Sequence, residues 1–135
     1  PGASLRVWRD YFINANIFGA DIDKNVLFSE DRITTCWVDQ LNKESIINMY
    51  KNFGIEKFDI IIDDGCHRYE ETINFFENSI NKLSDDGIYV IEDIVPSQRK
   101  KFLNYFKIAN YNVKIINFHR PSHYLSSNSL ITIRK

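Results

Sequence analysis

The sequence has little cysteine, and the cysteines it has fit neither a disulfide framework nor a metal cage. Cys36 and Cys66 are the only two, and they lie far apart in different sequence patterns. A disulfide-rich secreted domain or a cysteine-ligated zinc site would need more cysteines at closer spacing. The sequence therefore predicts two free thiols in a cytoplasmic protein.

Long hydrophobic runs and an excess of charge of either sign are also lacking. No apolar run approaches the length of a membrane span, and no signal peptide is visible. The formal net charge is −1, and the only short basic run is Arg99-Lys100-Lys101. This balance gives no electrostatic reason to expect a nucleic-acid or membrane partner.

The composition suits one globular domain over residues 1–135. Hydrophobic residues make up 44% of the chain and charged residues 26%, while ten Phe and seven Tyr are enough to fill a core. The chain starts at Pro1 without Met, and Gly2 to Ser4 look like the end of a glycine-rich loop. We therefore expect a chain trimmed at its N-terminus, whose fold lacks its first strand.

Apolar spacing predicts helices that alternate with strands. The expected helices begin at Ser4 as a cap, at Lys43, at Tyr69 and at Pro96, and the expected strands cover residues 16–21, 32–38, 58–62, 88–91, 113–118 and 129–133. An Asp85-Asp86-Gly87 turn separates the third helix from the next strand. This order predicts an α/β, Rossmann-like, doubly wound and mostly parallel sheet with an antiparallel C-terminal strand pair. Ligands of such sheets bind beyond the carboxyl ends of the strands.

Four carboxylates and a histidine follow two of the β-branched runs. Asp63 and Asp64 end the first run, Glu92 and Asp93 end the second, and His67 stands three residues after Asp64. Like charges at one site raise each other's pKa or need a cation, and oxygen ligands suit a hard divalent metal such as Mg²⁺. His67 is placed to take a proton beside it. The ordinary alternative is solvated acids at a turn and a helix cap, but the two halves together favour a functional site.

Two further strand ends and the N-terminus fit a nucleoside site. Asp21 ends the first predicted strand, where a carboxylate can accept hydrogen bonds from both ribose hydroxyls. Asp39 and Gln40 end the next strand and offer polar groups for a base edge. Gly2 and Ser4 would belong to a loop that lets the backbone approach the cofactor. Taken singly, Asp21 reads equally well as a turn residue and Asp39 as a helix cap.

From Gly2 to Val95 the sequence resembles the class I S-adenosylmethionine-dependent methyltransferases, and more narrowly the macrocin and mycinamicin sugar O-methyltransferase group. The segments that carry the resemblance are residues 2–12, Ile17-Phe-Gly-Ala-Asp-Ile-Asp23, Asp39-Gln40, Phe58-Asp-Ile-Ile-Ile-Asp-Asp-Gly-Cys-His67 and Gly87-Ile-Tyr-Val-Ile-Glu-Asp93. The pattern Asp-Asp-Gly-Ser-His of that group supplies a metal ligand and a base, and its later Glu-Asp pair supplies two more ligands. Here Cys66 replaces the serine.

The resemblance implies Asp64, Glu92 and Asp93 on Mg²⁺, His67 as the general base, and Asp63 as a structural or cofactor-side neighbour. It implies an S-adenosylmethionine-dependent, Mg²⁺-assisted O-methyltransferase that acts on a sugar or other vicinal-diol hydroxyl of a small-molecule or glycan acceptor. The alternatives are a metal-independent methyltransferase and a non-catalytic cofactor-binding or interaction domain of the same fold.

Two other classes fit less well. A phosphoacceptor receiver domain carries its acid pair after the first strand, and a nicotinamide dehydrogenase needs a Gly-x-Gly-x-x-Gly motif that follows no strand here. His119 and His123 are expected in a polar loop as exposed side chains. The oligomeric state stays open, and a homo-oligomer is among the options.

Overall fold

The structure is a computed structural model, and it describes residues 1–118 and 129–134. It divides into two compact units, Pro1–Ile55 and Glu56–Lys135. The single domain expected over residues 1–135 stays a prediction. His119 and His123 lie outside the described residues.

The first unit contains two α-helices and a three-stranded sheet. The helices are α1 (Ala3–Tyr11) and α2 (Lys43–Phe53), and the strands are β1 (Ile17–Asp21), β2 (Ser29–Glu30) and β3 (Ile33–Trp37). The strand order is β1-β3-β2, with β1 parallel and β2 antiparallel to β3. A 3-10 turn at Lys24–Val26 and the strand β2 lie where the sequence indicated only a polar loop. Strand β2 forms because it pairs with β3, and its own two residues do not predict a strand.

Helix α1 begins with a glycine rather than with the predicted serine cap. Gly2 is the N-cap residue, with a φ of 76°, and Ser4 lies inside the first turn without a capping bond. Glycine adopts that left-handed backbone at no steric cost. On the sheet below, Leu5 packs so closely against Gly19 that a Cβ there would collide with it. The helix therefore depends on glycine at its start and beneath it.

The end of α1 is held by the guanidinium group of Arg32. Its Nη1 donates to the carbonyl oxygens of Phe12 at 3.2 Å and Ala15 at 3.0 Å, and its Nη2 donates to that of Arg9 at 3.2 Å. These are carbonyls near a helix C-terminus that have no partner within the helix. Arg32 thus joins the end of α1 to the start of β3.

The second unit contains two α-helices and a four-stranded sheet. Its elements are β4 (Phe58–Asp63), α3 (Tyr69–Ser79), β5 (Leu83–Ile91), α4 (Arg99–Ile108), β6 (Asn112–Asn117) and β7 (Ser129–Arg134), with a 3-10 turn at Ile80–Lys82. The strand order is β4-β5-β7-β6. Strands β4 and β5 are parallel, and β7 is antiparallel to both of its neighbours. The expected antiparallel C-terminal pair is therefore confirmed.

Two boundaries in the second unit differ from the prediction. The segment Asp85-Asp86-Gly87 is not a turn outside the sheet but part of β5. The register shifts there, because Phe58 faces Leu83 while Ile60 already faces Ile88. Helix α4 begins at Arg99 instead of Pro96, after a turn over residues 96–98.

Aromatic side chains form the core of the second unit around Phe76, which is only 1% exposed. The Phe76 ring meets those of Tyr89, Phe106 and Tyr111 edge to face, at centroid distances of 5.1, 5.0 and 5.2 Å. Edge-to-face contacts of this kind add stability beyond the buried area. They fix α3, which begins just after the candidate site, against β5 and α4.

Helix length and the state of the two cysteines are the features that relate to cellular location. None of the described helices is long and apolar enough to cross a membrane. Cys36 and Cys66 are both free thiols, as predicted. The cytoplasmic location expected from the sequence stays a prediction.

Candidate metal centre and cofactor residues

Strands β4 and β5 deliver their acidic ends to the same edge of the second unit's sheet. Asp63 pairs with Ile91, and the Glu92 N–H donates to the Asp63 carbonyl oxygen at 2.9 Å. Asp63 is 4% exposed, and its Oδ1 accepts from the Gly65 N–H at 3.3 Å. The buried carboxylate therefore shapes the turn that follows β4, while the residues after each strand end leave the sheet.

Three of the predicted side chains come together at that edge. One ligand atom each from Asp64, His67 and Asp93 lies within 4.8 Å of the others. His67 Nε2 is 3.2 Å from Asp64 Oδ1, with these side chains 35% and 57% exposed. Ligands on opposite sides of a divalent cation are about 4 to 5 Å apart, since each lies at about 2.0–2.6 Å. The spacing therefore fits one cation that touches all three residues.

The backbone at two members of this cluster is unusual. His67 has a φ of 56° and Asp93 a φ of 51°. Few non-glycine residues adopt a positive φ, and those that do concentrate at functional sites. These two conformations turn the side chains of the β4–α3 connection and of the segment after β5 towards a common point.

Glu92 contributes to the electrostatics of the same site. Burial raises the pKa of Glu92, the carboxylates of Asp64 and Asp93 raise that pKa further, and His67 acts in the opposite direction. Within the described residues, however, Glu92 does not join the group whose ligand atoms converge. His67 does, although the sequence indicated it only as a base beside the metal. The assigned roles of these residues stay predictions.

The strand ends of the first unit carry their own turns. Asp21 Oδ1 accepts from the Asp23 N–H at 2.8 Å, and Asp39 Oδ1 accepts from the Leu41 N–H at 2.9 Å. The Asp39 N–H in turn donates to Ser45 Oγ at 2.8 Å. Since β1 and β3 are parallel, Asp21 and Asp39 leave one edge of that sheet. Both therefore act as turn residues, and their role in cofactor binding stays a prediction.

The remaining candidates of the first unit are less constrained. Gln40 follows Asp39 and is half-buried, Ser4 is exposed on α1, and Gly2 caps that helix. Helix α2 is capped by Asn42, which accepts from the Ser45 N–H at 3.1 Å, so Asp39 is not its cap. The sequence therefore placed Asp39 correctly at the end of its strand, but the alternative role of helix cap for Asp39 was wrong.

Comparison with known proteins defines the relatives of the chain. No family model matches it. A demethylmacrocin O-methyltransferase from Streptomyces fradiae is 37% identical over 93 residues, which are 69% of this chain. A mycinamicin VI 2''-O-methyltransferase from Micromonospora griseorubida is 36% identical over 93 residues, again 69% of this chain. The chain resembles the macrocin and mycinamicin group of sugar O-methyltransferases. This methyltransferase-like chain spans 23% of the length of each of these two relatives.

A solved structure supports the same fold class. The MycE methyltransferase from the mycinamycin biosynthetic pathway, in complex with Mg and SAH, has a TM-score of 0.75 and 25% identity. The match covers 99% of the methyltransferase-like chain and 40% of the MycE chain. The Rossmann-like α/β fold expected from the sequence, built here of parallel and antiparallel strands, is confirmed.

Proposed function

We propose that this chain is part of an S-adenosylmethionine-dependent, Mg²⁺-assisted O-methyltransferase that acts on a hydroxyl of a sugar or another vicinal diol. The observation that carries the proposal is the convergence of Asp64, His67 and Asp93 within 4.8 Å, at the carboxyl ends of β4 and β5. The relatives named above are O-methyltransferases of glycosylated natural products. MycE has also been solved with Mg, SAH and mycinamycin VI, which supports a small-molecule glycoside as the acceptor class.

Asp64, Glu92 and Asp93 are the residues proposed to hold Mg²⁺. Carboxylate oxygens are the ligands that this hard cation prefers. Burial first, and then the carboxylates of Asp64 and Asp93, raise the pKa of Glu92, and the gathered negative charge is what a cation would neutralise. When bound there, Mg²⁺ would lower the pKa of an acceptor hydroxyl.

His67 is proposed as the general base. An imidazole exchanges protons near neutral pH, and the 35% exposed side chain of His67 is open to an acceptor. In the reaction, the acceptor hydroxyl passes its proton to His67 while its oxygen takes the methyl group from the sulfonium sulfur, which leaves as the thioether. The displacement is in line, so the main tasks of the protein are to orient the acceptor and to receive that proton.

The cofactor is proposed to bind where the sequence predicted: Gly2, Ser4, Asp21, Asp39, Gln40 and Asp63. Asp21 is exposed at the carboxyl end of β1, where a carboxylate can accept hydrogen bonds from ribose hydroxyls. Asp63 is buried, and its Oδ1 accepts a hydrogen bond within its own turn. We therefore propose that Asp63 holds the turn beside the cofactor and does not contact the cofactor directly.

Methyl transfer to mycinamicin VI and demethylmacrocin tests the proposal. Formation of S-adenosylhomocysteine should be lost in EDTA and restored by Mg²⁺. His67→Ala should abolish turnover with little change in S-adenosylmethionine affinity by calorimetry, whereas Cys66→Ser, in the same turn, should keep both. Turnover that is unchanged in EDTA would favour the metal-independent methyltransferase. Cofactor binding without turnover of either acceptor would favour a non-catalytic domain.

A further inference from the structure

We propose that Arg99 binds a carboxylate of the acceptor, so that the acceptor class is an acidic sugar such as a uronic acid. The proposal rests on the proposed function and adds to it the charge of the substrate. It concerns the first turn of α4, which carries the run Arg99-Lys100-Lys101 and follows the acidic end of β5. None of the residues proposed to bind the cation or the cofactor belongs to this turn.

The first turn of α4 lies against the first turn of α3. Lys101 Nζ donates to Glu70 Oε1 at 2.8 Å and lies 3.7 Å from the centroid of the Tyr69 ring. Helix α3 begins two residues after His67, and helix α4 begins six residues after Asp93. Both helices therefore start at the carboxyl edge of the sheet, where sheets of this kind bind their ligands.

The helix itself opposes three cations in the first turn of α4. The N-terminal end of a helix carries partial positive charge, so that acids and not bases stabilise it. Helix α4 has no acid in its first turn, and its N-cap residue, Gln98, makes no capping bond with its side chain. The ion pair with Glu70 accounts for Lys101, and Lys100 is exposed to solvent. Arg99 is the cation of this turn that neither an ion pair nor full exposure explains.

The side chain of Arg99 is half-buried, and its Nε is buried without a hydrogen-bond partner. In the described part of the chain the other half-buried arginines are Arg6, Arg9 and Arg32, and each donates to carboxylate or carbonyl oxygens. Removing a guanidinium group from water without such an acceptor is unfavourable. Its planar fork matches the two oxygens of a carboxylate. A carboxylate supplied by a ligand would therefore satisfy Arg99.

The acids at the same edge decide which anion suits Arg99. Asp64, Glu92 and Asp93 would repel an anion with two charges, such as a phosphate monoester, more strongly than a carboxylate with one. A single guanidinium group also balances a single negative charge. A uronic acid carries one carboxylate beside vicinal hydroxyl groups, so it offers both the anion for Arg99 and the diol for the proposed methyl transfer.

Binding of methyl β-D-glucuronide and methyl β-D-glucoside tests the proposal, since the first carries a carboxylate where the second carries a hydroxymethyl group. Ligand-observed NMR titrations with Mg²⁺ and S-adenosylhomocysteine should show that the glucuronide binds about tenfold or more tightly, as charge-assisted hydrogen bonds require. Arg99→Gln should remove this preference and leave the affinity for the glucoside unchanged. Arg99→Lys should keep only part of it, because lysine lacks the fork. Lys100→Gln, which removes the neighbouring charge, should keep all of it.

Equal affinity for the two glycosides, no binding of the glucuronide, or a preference that persists in Arg99→Gln would overturn the proposal. Circular dichroism should show that all three variants fold. EDTA-sensitive methyl transfer to both glycosides at the same rate, with no effect of Arg99→Gln, would leave the proposed function standing without the acidic acceptor. A binding preference that depends on Arg99, without methyl transfer to either glycoside, would support the role of Arg99 and contradict the proposed function.

Discussion

Replacing Glu92 by Gln tests whether this carboxylate opposes folding when no cation is bound. Burial first, and then the carboxylates of Asp64 and Asp93, hold the pKa of Glu92 above its ordinary value of 4.5. A carboxyl whose pKa is higher in the folded state destabilises that state when ionised. The penalty is complete above the folded pKa and disappears as the pH falls below the unfolded value. Glu92→Gln should therefore stabilise the metal-free protein at neutral pH.

The size of the effect follows from the two like-charged neighbours of Glu92. Charge pairs in partly solvated positions interact by roughly 0.2–1 kcal/mol each, and Glu92 is only half-buried. Two such repulsions, less the opposing effect of His67, amount to about 0.5–1.5 kcal/mol in the free energy of unfolding. For a chain of this length that corresponds to a rise of about 2–6 °C in Tm.

Urea and thermal unfolding in EDTA at a series of pH values measure the gain. It should be largest near pH 8 and shrink as the pH approaches 4.5. Glu56→Gln, at an exposed position ahead of β4, controls for the loss of one negative charge. At Mg²⁺ concentrations of about a hundred times Kd the parent protein should gain about 2.7 kcal/mol, and Glu92→Gln should gain less. A metal-free variant that is less stable than the parent at pH 8 would refute the repulsion argument.

Three further predictions concern packing, a hydrogen bond and a turn. Phe76→Ala should lower the free energy of unfolding by about 3–5 kcal/mol in urea titrations, because the ring is 1% exposed, whereas Phe76→Leu should cost less. Tyr105→Phe removes the hydroxyl that donates to Glu77 Oε1 at 2.8 Å, so it should lower the free energy of unfolding by about 1 kcal/mol and with it Tm. Gly54→Ala should cost about 1 kcal/mol, since its φ is 67° and no atom lies near the added Cβ, while Gly54→Asn should cost less. An unchanged Tm in any of the three would contradict the contact or strain invoked for it.

Local signals were enough to predict some elements. The apolar spacing from Lys43 and the glycine at position 54 gave α2 its observed bounds, because helix periodicity and a left-handed stop act within a few residues. The β-branched run after Phe58 gave β4 for a similar reason. The acidic residues at its end were then expected at the sheet edge, where Asp64 is found.

Other elements depended on distant partners. The Asp85-Asp86-Gly87 segment has the residue types of a turn, yet it stays in β5 because β4 pairs with β5 on both sides of it. The extra residues of β5 appear as a shift in register between the Phe58–Leu83 and Ile60–Ile88 pairs. The strand β2 forms by pairing with β3, and the Thr35 N–H of β3 donates to the carbonyl oxygen of Phe28, the residue before β2, at 3.2 Å. Such pairings join residues that no local window contains.

The sequence by itself determined that four acids and a histidine follow two parallel strands, and hence that they meet at one edge. It did so because strand periodicity and chain order are enough to place strand ends. Only the tertiary structure decided which of the side chains converge. His67 and Asp93 turn towards Asp64 through left-handed backbone conformations, whereas Glu92 stays beside the cluster. Those backbone conformations belong to the folded connections after β4 and β5, so the type of each residue could not reveal them.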